Sequence, residues 1–231
     1  MPLDVADQVA LQDTPIGPIP AHWRVVRLGE MVTTFQYGLS VRAEREGTYP
    51  MLRMNNLEDG RVTTSDLKYV NLSSAEATKF LLRPGDLLFN RTNSRDLVGK
   101  TALFGLDGKY VFASYLIRMA VDRSNTEPRF LSFLLNYAPV QQRLKSIATR
   151  GVSQANISAS KLKIFEIPLP PFGEQREISR ILQTVDRTIQ AEETRKRALD
   201  DLFRSLLHHL MTAKMRVSKE LVDRFEKEEG L

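Results

Sequence analysis

Cysteine is absent from the 231 residues of this chain, which excludes disulfides and thiolate metal sites and makes a cytosolic setting the expectation. Histidine is almost absent as well. His22, His208 and His209 are the only three, so a zinc site would need carboxylates to complete its ligand set. No apolar run approaches the roughly 18 residues of a membrane span, and the first residues lack the apolar core of a secretion signal. A soluble protein with no membrane contact is expected. Acidic residues are missing from one long stretch, Pro128 to Phe165, which still carries Arg129, Arg143, Lys145, Arg150, Lys161 and Lys163. Glycine and proline are missing from another, residues 174–212. These last two gaps mark two different objects in one chain.

The formal net charge is +5. Residues 1–172 hold 21 Lys+Arg and 16 Asp+Glu, residues 173–212 seven of each, and residues 213–231 five of each. All the excess positive charge therefore sits in the first segment. A basic window of this kind can be no more than a solvated face. It can also be a phosphate-binding surface, on which each Lys or Arg that meets a phosphate releases condensed counterions.

Residues 1–20 end in Thr14-Pro15-Ile16-Gly17-Pro18-Ile19-Pro20 and read as an N-terminal arm, the prolines favouring extended backbone. From 21 to 172, short β-rich runs (24–35, 49–54, 86–91, 101–105 and 110–121) alternate with Gly, Asn and Asp punctuation. Ser73-Ser74-Ala75-Glu76 spaces Ser and Glu three apart, a capping box that opens a helix over 74–80. Pro128 and Pro139 each suit the first turn of a helix. Phe130, Leu131, Phe133, Leu134 and Leu135 pack the first of these helices, and Val140, Leu144 and Ile147 the second. A polar loop over 150–158 precedes a strand over 162–168, which Leu169-Pro170-Pro171 stops. The fold class expected is α+β: a mixed β-rich domain with small helices, followed by a long α-helix.

That helix covers about Glu174 to Thr212, and its apolar residues recur in heptads. One seam position is Ile178, Val185, Glu192, Leu199 and Leu206; the other is Leu182, Ile189, Lys196, Phe203 and Leu210. At 1.5 Å per residue, about 39 residues extend roughly 58 Å, too far to lie buried on one domain, so part of the seam needs another partner. The seam is centred on Thr194, with Glu192 and Lys196 two residues to either side. An antiparallel pair with its two-fold axis there sets Ile178 against Leu210 and Glu192 against Lys196. A parallel pair sets Glu192 on Glu192 and Lys196 on Lys196, which is repulsive. Antiparallel self-pairing is therefore favoured over parallel. The plainer alternative is an intrahelical i,i+4 pair, worth a few tenths of a kcal/mol. Residues 213–231, with Leu221, Val222 and Phe225 as a small apolar stripe, read as a short terminal helix.

Several motifs together resemble the specificity subunits of type I restriction–modification systems. Ile19-Pro20-x-x-Trp23, then Val26-x-Leu28-Gly29-Glu30, is similar to the opening of a recognition domain in that family. Pro84-Gly85-Asp86-Leu87-Leu88-Phe89-Asn90-Arg91 with Val98-Gly99-Lys100 resembles its central β motif. The most specific stretch is Gly151-Val152-Ser153-Gln154-x-Asn156-Ile157-Ser158, Leu162, Ile167-Pro168-Leu169-Pro170-Pro171, Glu174-Gln175 and Ile178. The resemblance implies a DNA target-recognition domain over 21–172, a spacer and dimerisation helix over 173–212, and no active site. It implies double-stranded DNA as ligand, and docking of modification subunits that bind S-adenosylmethionine and methylate adenine, with restriction subunits able to join. Such subunits typically carry two recognition domains and two long helices. This chain has one of each, like the half-size subunits that dimerise to rebuild the two-domain reader, or like a product truncated to one domain. A homodimer reading an interrupted palindrome, one half-site per chain, is the expectation, with no cofactor held by the chain itself.

Readout needs Arg or Lys for guanine edges, Asn or Gln for adenine edges, and phosphate contacts to fix register. Four loops supply these types: Gln36, Tyr37, Ser40 and Arg42; Arg53 and Asn55; Asn90, Arg91, Asn93 and Arg95; and Arg150, Ser153, Gln154 and Asn156. Arg53, Arg91 and Arg95 are the candidates for base edges, and Lys145, Arg150, Lys161 and Lys163 for phosphate. The competing assignment is structural, since loop Asn and Ser commonly cap turns. Enzyme alternatives fare worse. Val98-Gly99-Lys100-Thr101 echoes a P-loop, but Ser94 stands where that motif needs glycine. Asn136-Tyr137-Ala138-Pro139 lacks the Pro-Pro of an adenine methyltransferase. A coiled-coil scaffold without sequence-specific DNA binding remains the alternative from another class.

Overall fold

The two ends of the basic segment are zipped together. Strand Arg24–Arg27 runs antiparallel to strand Glu166–Leu169 and sets Val26 opposite Ile167, both buried. This arrangement belongs to a computed structural model that describes residues 10–151 and 154–229. The chain divides into two units, 1–179 and 180–231.

In the first unit a six-stranded mixed sheet runs in the order Val32–Tyr37, Leu116–Val121, Leu87–Asn90, Thr101–Leu103, Arg61–Val62, Leu57–Glu58. Its central strand explains why both faces are covered. Alternate side chains of a strand point to opposite faces. Leu87 and Phe89 therefore enter one core, with Ile117, Met119 and the helices Pro128–Asn136 and Ala138–Ser146, while Leu88 enters a second with Leu52, Phe104, Phe112 and Leu116. A third cluster forms around the sheet Val111–Phe112, Tyr49–Leu52, Lys68–Val70. The α+β class expected is the class observed.

Local signals hold where their partners are local. Ser73 caps the helix Ser74–Phe80: its hydroxyl accepts the Glu76 N–H at 3.3 Å, and the Glu76 carboxylate accepts the Ser73 N–H at 3.0 Å. Pro128 and Pro139 lie in the first turns of their helices. Three expected strands differ. The run 110–121 is split into Val111–Phe112 and Leu116–Val121, which lie in different sheets. The run 24–35 is broken by the turn of helix Leu28–Met31, where Glu30 accepts the Arg27 N–H at 2.8 Å and Leu28 N–H donates to Phe165 O at 2.8 Å. Gly29 is required there by close approach, because a Cβ would sit 2.9 Å from the Lys163 carbonyl oxygen. The strand expected over 162–168 is shortened to Glu166–Leu169, behind the helix Ala159–Lys163 capped by the Ser158 hydroxyl.

The long helix runs Phe172–Met211, and its root is tied to the first unit by motif residues. Glu174 accepts from Trp23 Nε1 at 3.0 Å and lies 2.9 Å from His22 Nε2. Gln175 is buried. Its amide oxygen accepts the Glu127 N–H at 3.0 Å, and its amide nitrogen donates to Asn125 O at 3.2 Å and Pro170 O at 3.0 Å. Ile178 packs on the first core.

In the second unit the seam residues Leu182, Val185, Ile189, Leu199, Phe203, Leu206 and Leu210 are all exposed. Within the helix Glu192 pairs with Arg195 at 3.9 Å rather than with Lys196. Ala213 takes a left-handed φ of 56° just past the helix end, and a helix Lys219–Glu229 follows.

Candidate nucleic-acid interface

Two donor-rich loops far apart in sequence become neighbours in one small sheet. Strand Ala155–Asn156 lies between Thr92–Asn93 and Thr149–Arg150, with Thr92 opposite Asn156 and Arg150 opposite Ala155. The acid-free window and the Asn90–Arg95 segment therefore share one surface. Ser153 lies outside the described residues, as does the side chain of Arg150.

The ribbon is bonded at its base. The Arg91 guanidinium stacks 4.8 Å from the centre of the Tyr37 ring. Its Nη2 donates to Asn156 Oδ1 at 3.2 Å and its Nη1 to the Ser114 carbonyl at 3.4 Å. The Asn156 amide donates to Thr92 Oγ1 at 2.6 Å. The Tyr37 hydroxyl accepts the Ala159 N–H at 3.0 Å. Lys161 donates to Ile147 O at 2.6 Å and Thr149 Oγ1 at 2.9 Å, holding the outer strand. Around this base Ser40, Arg42, Arg95 and Gln154 are exposed, as are the rings of Tyr37 and Tyr115. Asn55 and Asn93 share a shallow groove with Leu97 and Lys100.

Other expected residues are committed elsewhere. Asn90 is fully buried, its amide nitrogen donating to Leu97 O at 3.3 Å, so it shapes the loop and is not available as a reader. Arg53 closes on Asp66, donating to its carboxylate at 2.9 Å and its backbone oxygen at 2.7 Å. That bond, with Lys68 nearby, holds the Asp66 carboxyl below the ordinary carboxylate value. The Gln36 amide donates to Lys79 O at 2.8 Å. Arg42 lies 3.7 Å from Glu44, Lys163 reaches over the Phe35 ring at 5.7 Å, and Lys145 is half-buried on helix Ala138–Ser146. Tyr115 and Ser114 were not anticipated from sequence. The one signal for them was an aromatic residue in the bend between two apolar runs.

The remainder of the central motif is architectural. Asp86 accepts the Arg83 N–H at 2.8 Å and faces Arg118 Nε at 3.8 Å. Burial pushes its carboxyl up, against the lowering effects of the Arg83 N–H and Arg118. No cluster of three or more His, Asp or Glu suited to a metal ion occurs among the described residues, and no helix among them is long and apolar enough to cross a membrane.

Exposed Arg, Gln and Asn beside exposed tyrosines match what base-edge and phosphate contacts need. Residues 20–200 match the model of the type I restriction modification DNA specificity domain. The chain belongs to that family. A type I specificity subunit from Methanocaldococcus jannaschii, MjaX, is 30% identical over 204 residues, covering 86% of this chain and 48% of the relative. The EcoKI specificity subunit of Escherichia coli is 26% identical over 167 residues, covering 70% and 36%. The crystal structure of the type I S subunit from M. genitalium shares the fold at a TM-score of 0.60 and 18% identity, covering 88% of this chain and 48% of that one. The chain thus spans about half the length of the specificity subunits it resembles, or less.

Proposed function

We propose that this chain is the non-catalytic DNA-reading component of a type I restriction–modification system, contacting one half-site per copy through the ribbon of Thr92–Asn93, Ala155–Asn156 and Thr149–Arg150. The convergence of the Asn90–Arg95 and 150–156 segments on one basic, aromatic-lined surface carries this reading. Arg95, Gln154, Asn93 and Asn55 are the base-edge candidates. Arg150 is the phosphate candidate within the ribbon, and Ser153 belongs to the same loop.

The missing half is supplied by a second copy. The exposed seam pairs antiparallel about Thr194, burying Val185 against Phe203 and Leu182 against Leu206, with Glu192 and Lys196 forming reciprocal ion pairs. Two heads related by a two-fold axis read an interrupted palindrome. The helices also dock modification subunits, which bring S-adenosylmethionine and the adenine chemistry, and restriction subunits can join that assembly.

The test is duplex binding by the chain assembled with its modification subunits. Binding should be sequence-dependent and should weaken with added salt, each lost phosphate contact lowering the log–log salt slope by about 0.9. A scaffold using only its coiled coil would bind no duplex in a salt-sensitive way, and that result would replace the present reading.

A further inference from the structure

Arg91 combines two features that pull in different directions. It belongs to the densest donor segment of the chain, which recommends it as a guanine reader. Yet its guanidinium is already held on three sides, by the Tyr37 ring at 4.8 Å, Asn156 Oδ1 at 3.2 Å and the Ser114 carbonyl at 3.4 Å. A guanine contact needs a pair of donors aimed together at O6 and N7. Here each terminal nitrogen serves a different segment of the protein, and Nε is buried without a partner.

We propose that Arg91 is a positioning residue for readout: it clamps the ribbon onto the body of the domain and so sets the pose in which Arg95 and Gln154 meet DNA. The proposal rests on the DNA-reading function above. The clamp joins the segments that must move together. Tyr37 ends the edge strand and is fixed by the Ala159 N–H. Asn156 sits in the central ribbon strand and is fixed through Thr92. Ser114 lies in the bend before Leu116–Val121. The Arg91 carbonyl adds a backbone link by accepting the Ile157 N–H at 2.9 Å. Only a planar, always-charged fork can stack on a ring and bond sideways to two acceptors at once; a lysine ammonium keeps the charge and loses the geometry.

A clamp and a reader predict different mutant patterns. The full chain, assembled with its modification subunits, is assayed for methylation rate on the mapped target and on duplexes altered at each base pair of the half-site. Arg91→Lys should reduce discrimination at several positions at once, by about tenfold in total, while affinity for unrelated duplex and its salt dependence stay unchanged. Tyr37→Leu, which removes the stacking ring without touching a charge, should produce the same flattened profile. The double variant should be no worse than either single one, since both break one clamp. Thermal melts of each variant check folding, and Tyr37→Phe, which keeps the ring, should retain most discrimination. Relaxation at one base pair only by Arg91→Lys, with Tyr37→Leu leaving that position intact, would make Arg91 a base reader and overturn the proposal. A wild-type assembly with no sequence preference would remove the underlying function instead, so the two failures are separable.

Discussion

The root of the long helix offers the sharpest stability prediction, because one buried side chain makes three hydrogen bonds there. Replacing Gln175 with alanine removes the acceptor of the Glu127 N–H and the donor to Asn125 O and Pro170 O, at a position only 1% exposed. Asn125 is exposed and can rehydrate. The Pro170 carbonyl belongs to a buried residue and the Glu127 N–H to a half-buried one. An unsatisfied buried group costs about 1–3 kcal/mol, so with partial entry of water the substitution should cost about 2–4 kcal/mol. Trp23 is the single tryptophan, and its indole N–H bonds to the adjacent Glu174, which makes its fluorescence a reporter placed at the joint. With a urea slope of roughly 1–3 kcal/mol/M, the midpoint should fall by about 1–2 M. Gln175→Met keeps the volume and loses the bonds, so it should fall by a similar amount. Methionine at wild-type stability would refute the reasoning, since packing alone would then hold the helix root.

Glu192→Lys should weaken dimerisation and Lys196→Glu added to it should restore dimerisation; equal sedimentation of wild type, single and double variants would reject the register. Gly38→Ala should destabilise the chain by about 1–3 kcal/mol through overpacking, because a Cβ would lie 2.3 Å from Phe112 O and 2.4 Å from Ala113 O; an unchanged melting temperature would contradict this packing. The Asp66 carboxyl should titrate below the ordinary aspartate range by NMR, and Arg53→Met should raise that midpoint. A depressed folded value means the bond stabilises the fold above the ordinary pKa and is lost as pH falls through the lowered one.

How much of this was legible in the sequence depended on the distance between partners. The helix Phe172–Met211 follows from a long run without Gly or Pro and a sustained heptad pattern, and the Ser73–Glu76 cap from a three-residue spacing, both local properties. The turn of helix at Leu28–Met31 was hidden inside an apolar run because its anchor, Phe165 O, is remote in the chain. The strand expected over 162–168 overlaps the end of the helix Ala159–Lys163, because Leu162, Ile164 and Phe165 suggest a buried run, yet Ile164 is 65% exposed and Ser158 caps the helix. The candidate interface was half legible. Residue types at Arg91, Arg95 and Asn156 signalled hydrogen-bonding capacity, but only strand pairing brings 92–93 beside 155–156. Composition could not separate Asn90, which the fold buries completely, from Asn93, which it leaves half-buried beside Asn55. Trp23 and Glu174 stood out as separate motif residues; their 3.0 Å contact shows that both serve one joint.

The proposed function requires two copies of one basic head, related by a two-fold axis through the helix seam, to read DNA for a methyltransferase. Co-expressing the chain with the modification subunit in a host free of other adenine methylation, and sequencing the methylated adenines, tests it most directly. A single motif made of two inverted copies of one half-site separated by a fixed gap is expected. An asymmetric bipartite motif from this chain alone, or no chain-dependent methylation at all, would contradict it.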